Sequence, residues 1–156
     1  MPITDYEDFK ESIGFKGQCA TANRVKIRTG VNASSSNLDY GVAVSQGSNS
    51  WDSVSLPDGT NADIRGVVYL NNAKLNDPEN PGIKPEDPCA IATEGDLWVR
   101  TDTAVSIGDS VYLHTGAGTD AGVFTNTAGT NTIELSECRW LRDAEEGVAP
   151  CQIVIF

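Results

Sequence analysis

The side chain best suited to moving protons near neutral pH is histidine, and this 156-residue chain has one, His114. It lies four residues after Ser110 and five after Asp109, so the three residue types of a hydrolytic triad are close in sequence. A serine nucleophile of that kind is presented on a sharp strand-to-helix turn, and no G-x-S-x-G segment is present. The simpler account is a histidine that ends a strand with one ring nitrogen satisfied. A lone imidazole also rules out a metal site built on two or more histidines of one chain. The four cysteines, Cys19, Cys89, Cys138 and Cys151, are widely and irregularly spaced. No C-x-x-C pair points to zinc or thiol redox chemistry, so they are expected to be buried thiols without disulfides, as in a reducing cytoplasm.

Carboxylates are plentiful, and paired-acid hydrolysis stays open on that ground alone. A catalytic acid needs a buried, tuned environment. Here Asp77, Glu79, Glu86, Asp87, Asp143, Glu145 and Glu146 sit in loop-like sequence, which reads as a solvated acidic surface. A calcium site around Asp77 and Glu79 lacks the EF-hand spacing. Gly116-Ala117-Gly118 does not match a phosphate-binding loop. No cofactor and no metal is therefore expected. Of the three tryptophans, Trp98 lies in an alternating run with Leu97 and Val99, and Trp140 precedes Leu141, so both read as core. Trp51 lies in the polar stretch SNSWDS and is the one expected at an interface, where tryptophan is enriched.

The formal net charge is -11, and it is uneven. Residues 1–30 carry five basic and four acidic side chains, while the remainder carries six basic and eighteen acidic. A body with a net charge of -12 does not suit a phosphate backbone, so no nucleic-acid partner is expected. No run of apolar residues is long enough to span a membrane, and the first residues have no signal-peptide core, so no membrane partner is expected either.

These side chains must be held by strands. Thr4-Asp5-Tyr6-Glu7 reads as a capping box, and Tyr6, Phe9 and Ile13 form a helical stripe ended by Gly14. From residue 18 onward the pattern is all-β. Strands are expected over 24–31, with Val25, Ile27, Thr29 and Val31 on one face, and over 40–44, 64–70, 89–93, 97–105, 110–114, 123–124, 132–135 and 149–155. An edge strand is expected over 138–141. Residues 97–105 and 110–114 flank the turn formers Ser106-Ile107-Gly108-Asp109 and read as a hairpin. Residues 45–59 read as a polar loop. The 71–88 stretch contains Pro78, Pro81, Pro85 and Pro88 and reads as a long exposed loop. The expected fold is a small antiparallel β-barrel or sandwich with a short N-terminal helix or arm and long loops. Its organisation is an arm over 1–17 and a single β domain over 18–156.

Five segments in order, GFKGQCAT (14–21), DYGVAVSQG (39–47), IRGVVYL (64–70), EGDLWVRTDTAVSIGDSVYLHTGAG (94–118) and CRWLRDAEEGVAPCQIVIF (138–156), carry a likeness. The series resembles the structural cement, or head-decoration, proteins of tailed bacteriophages. The resemblance implies a non-enzymatic β-barrel protein of the virion, made in the host cytoplasm and placed on the capsid exterior. It implies a homotrimer that bridges adjacent major capsid protein subunits at threefold and quasi-threefold positions. It brings no catalytic residues. The candidate contacts come from exposure logic: Tyr6, Phe9, Ile13 and Phe15 in the N-terminal segment, Trp51, and Pro78, Pro81 and Pro85 in the proline-rich loop. A carbohydrate-binding module using exposed aromatic side chains, and a hydrolase using paired carboxylates, are the competing readings.

Overall fold

A strand in which every second side chain is apolar buries one face, and a strand apolar on both faces must be covered twice. Both kinds occur in the computed structural model, which describes residues 14–59, 62–70, 82–116 and 120–155. Every regular element among them is a strand: β1 (Lys26–Asn32), β2 (Ala43–Gln46), β3 (Ser53–Ser55), β4 (Ile64–Val68), β5 (Pro88–Thr101), β6 (Tyr112–His114), β7 (Phe124–Thr125), β8 (Thr132–Glu134), β9 (Arg139–Trp140) and β10 (Gly147–Val154). The N-terminal helix expected over 4–13 lies outside the described residues.

Five strands close a barrel. The neighbours run β1-β3-β2-β4-β5, and β5 pairs back onto β1. Most pairings are antiparallel, but β1–β3 and β5–β7 are parallel. Val44, Val54, Val68 and Ile91, one from each of β2 to β5, form one buried cluster with Leu38, Val42 and Val123. Their sequence neighbours Ala43, Val67 and Ala92 belong to a second cluster with Leu97, Phe124, Trp140 and Ile153. The period of two thus sends one residue into the barrel and the next under a second layer. That layer is built from β6, β7 and β8, with β10 running antiparallel along β5 from Gly147↔Thr101 to Val154↔Glu94 and β9 pairing with β10.

Four expectations need correction. The stretches 89–93 and 97–105 do not form two strands; one fourteen-residue strand, β5, runs through Glu94-Gly95-Asp96 and starts at Pro88, a residue expected in the loop. Residues 97–105 and 110–114 form no hairpin. The turn at Ser106-Ile107-Gly108-Asp109 exists, with Asp109 N–H bonded to Ser106 O at 3.1 Å, but β6 pairs with β7 and β8 while β5 takes β1, β4, β7 and β10. The polar stretch 45–59 contains β3, whose short SVS segment is recruited by barrel closure rather than by its own propensity. In β1 the alternating face is not the buried one. Residues 26–29 are all exposed, whereas Gly30 and Asn32 are buried. A Cβ on Gly30 would fall 2.9 Å from Ile91 Cδ1 and 3.3 Å from Val54 Cγ1, so the barrel interior is already full there.

Candidate functional site

The groups with catalytic potential are placed as structural partners. His114, at the end of β6, shares a 2.7 Å hydrogen bond between its Nε2 and Asp102 Oδ2, the satisfied histidine the sequence implies. Asp109 accepts from Asn126 Nδ2 at 2.8 Å and from the Ser106 N–H at 3.0 Å, and these bonds hold its carboxyl below the usual aspartate range. Burial pushes the Cys151 thiol well above the ordinary cysteine value, with the neighbouring Cys138 adding to the shift. Cys138 is raised for the same first reason, burial. No group of three or more His, Cys, Asp or Glu side chains among the described residues is arranged to hold a metal ion.

The tryptophans divide as their sequence settings imply. Trp140 is buried and meets Phe124 edge-on at 6.5 Å between ring centroids. Trp98 is buried under the Arg142 guanidinium, which lies 4.7 Å from the ring centroid. Trp51 is 83% exposed. These positions leave no platform of several exposed tryptophans.

Trp51 is presented on a hydrogen-bonded turn between β2 and β3. Gly47 N–H bonds to Ser53 O at 2.8 Å, Ser53 Oγ donates to Ser50 O at 2.7 Å, and Gln46 Nε2 reaches Ser50 O at 2.8 Å. The parallel register of β3 on β1, Val31↔Ser53, sets this turn beside Thr29 and Gly30. There Arg28, Gln46, Trp51 and Arg65 rim a recess floored by Val54 and Ile91, two residues of the barrel interior. Arg65 pairs with Asp63 at 3.0 Å. Ile27, 48% exposed, lies on the same strand as Arg28. Beyond Asp52 a groove of about 470 Å³ runs between Ser34, Asn49 and Ser50 on one side and Pro85 and Glu86 on the other.

Of the sequence-derived contact candidates, Trp51 and Pro85 share this region and both are exposed. Phe15, 74% exposed, lies elsewhere. Gly17 N–H bonds to Trp98 O at 2.7 Å, whereas the Trp51 turn stands opposite the start of β5. The two are separated by about 25 Å along β5 at ~3.3 Å per residue. Tyr6, Phe9, Ile13, Pro78 and Pro81 lie outside the described residues. Sequence reasoning missed Ile27, Arg28 and Arg65 as site residues; Arg28 and Arg65, nearly forty residues apart in sequence, line one recess only because the barrel closes.

The family model described as structural cement protein (E217 gp24/Pam3 gp6) matches residues 4–154. Among solved structures, a chain in the capsid of Myoviridae phage XM1 superposes with a TM-score of 0.71 at 18% identity, covering 91% of each chain. A second, the N base of the head fibre gp8.5 of bacteriophage phi29, gives a TM-score of 0.45 at 14% identity, covering 83% of this chain and 94% of that one. No curated protein sequence matches the chain.

Proposed function

This chain belongs to the phage structural cement protein family, and on that premise we propose that it decorates the outside of an icosahedral capsid and cements it. In this reading it is a homotrimer that bridges adjacent major capsid protein subunits at threefold and quasi-threefold positions, and it catalyses nothing. The observation that carries the reading is the family match from residue 4 to residue 154. The shared fold with a chain of a myovirus capsid supports it.

The physical logic is mass action. A protein that binds only the expanded shell stabilises that state, by an amount that grows with the logarithm of its free concentration relative to its dissociation constant. A trimer that grips several subunits gains avidity, so each contact need only be modest. The acidic body keeps the free protein soluble through like-charge repulsion. The contacts proposed are Tyr6, Phe9, Ile13 and Phe15 near the N-terminus, the Trp51 turn, and the loop bearing Pro78, Pro81 and Pro85.

Co-sedimentation with expanded capsids lacking this protein tests the reading. Saturation at a fixed number of copies per major capsid subunit, with a raised capsid melting temperature, is the expected result. Binding without a plateau, or none, overturns it. Deleting residues 2–14 tests the N-terminal contact separately: unchanged binding removes that segment from the interface.

A further inference from the structure

We infer that the outer edge of β1, with Arg28 and Trp51 beside it, is where this protein takes up an extended acidic segment of the major capsid protein by strand addition. The inference rests on the cementing role above and assigns it a face.

The first observation is an open edge. Strand β1 pairs with β5 along one side, and β3 covers the other side only at Val31 and Asn32. Val31 turns its N–H outward, to Asp52 O at 2.9 Å. Antiparallel alternation then turns the N–H and C=O of Thr29 and Ile27 outward as well. No backbone group among the described residues receives them. The segment 26–29 is exposed on both faces, and nothing among the described residues lies over it.

The second observation is what stands beside the edge. Four large apolar side chains are exposed among the described residues, and two of them, Ile27 and Trp51, are here. Lysine or arginine on an edge strand ordinarily keeps other chains away. An exposed isoleucine and a tryptophan held on a hydrogen-bonded turn work against that purpose. They are the features of a pre-organised anchor, which loses little entropy on docking.

The third observation selects the occupant by charge. Lys26 and Arg28 lie on this edge and Arg65 lines the recess beside it, while residues 31–156 carry eighteen acidic side chains against six basic. Arg24 and Arg28 make no ion pair among the described residues, and Lys26 meets Glu94. The Arg28 guanidinium, next to an outward-facing Thr29 and unpaired among the described residues, suits a carboxylate carried on an added strand. The edge is about 13 Å long at ~3.3 Å per residue, room for roughly four residues of a partner strand.

The test uses the full chain and expanded capsids lacking it. Dissociation constants are measured for wild type, Arg28→Glu and Trp51→Ala, both exposed positions. Amide exchange of residues 24–30 is followed in the free and bound protein. Each substitution is expected to weaken binding at least about tenfold with an unchanged melting temperature, and the Thr29 and Ile27 amides are expected to become protected on the capsid. Variants that saturate capsids as wild type does, or amides that exchange equally fast bound and free, overturn the inference and leave the cementing role standing. Variants that change only the chain's own oligomeric state overturn it too, and assign the edge to a second copy. A wild type that does not sediment with capsids overturns both readings.

Discussion

A thiol becomes a nucleophile by ionising, and an apolar setting opposes that. Cys151 is fully buried, and burial raises its thiol well above the ordinary range; Cys138 follows in the same direction. Cys19 is only half-buried, with its sulfur 3.2 Å from Tyr69 Oη. Iodoacetamide applied to the folded protein at about pH 8 should therefore modify Cys19 and spare Cys138 and Cys151. Peptide mass spectrometry reads the result, and labelling of Cys151 under native conditions would contradict its burial. Asp109 offers a second residue-scale check. Its folded carboxyl lies below the free value, so its bonds to Asn126 and Ser106 stabilise the fold above about pH 4 and lose that effect as pH falls through the folded value. Asp109→Ala should melt below wild type at neutral pH, and the gap should close under more acidic conditions. Because the carboxylate is solvent-exposed, the neutral-pH gap should be small.

At the scale of elements, the barrel depends on one glycine more than the local sequence reveals. Gly66 sits in β4 with φ of 148°, opposite the irregularity between Val44 and Ser45 of β2. A Cβ there would lie 2.4 Å from Ala92 O and 2.6 Å from Ile91 Cγ2. Gly66→Ala combines an unfavourable backbone with a clash against β5. It should cost about 2–4 kcal/mol, seen as a melting temperature lower by about 5 °C or more. Trp140→Ala opens a cavity against Phe124 and should cost a similar ~3–5 kcal/mol. The apolar pairs in IRGVVYL announce a strand covered on both sides, which is why β4 was legible. Strand β5 was read as two because Glu94-Gly95-Asp96 has turn chemistry. The strand instead runs on: the register shift against β1 falls at Thr93, between Lys26↔Glu94 and Ile27↔Ala92, and Gly95, at φ of 142°, pairs with Ile153 of β10. The hairpin was misread because alternation fixes which side chains share a face, not which strand lies alongside. In the candidate site, the exposure of Trp51 was legible from its polar neighbours. The arginines were not, since Arg28 and Arg65 acquire a common neighbour only through the β1–β3–β2–β4 ring.

For the whole molecule, the distribution of charge matters more than its sum. A chain of net charge -11 meeting an acidic surface would be repelled unless its few cations face that surface. Placing Lys26 and Arg28 on one short strand, with Arg65 beside it, gives the acidic body an end that bears three cations. Such an arrangement orients the protein during encounter and acts mainly on association, while the contacts around Trp51 govern dissociation. Salt separates the two, because the screening length falls from about 10 Å at 0.1 M to about 3 Å at 1 M. Raising NaCl from about 20 mM to about 500 mM should slow association with expanded capsids by about tenfold and leave dissociation nearly constant. Arg28→Glu should flatten that dependence, and Trp51→Ala should preserve it while speeding dissociation. Stopped-flow light scattering on capsids lacking the protein measures both rates. An association rate indifferent to salt would mean that the cation-bearing end of the barrel does not face the shell, and a salt effect confined to dissociation would place the cations in the settled contact rather than in its approach.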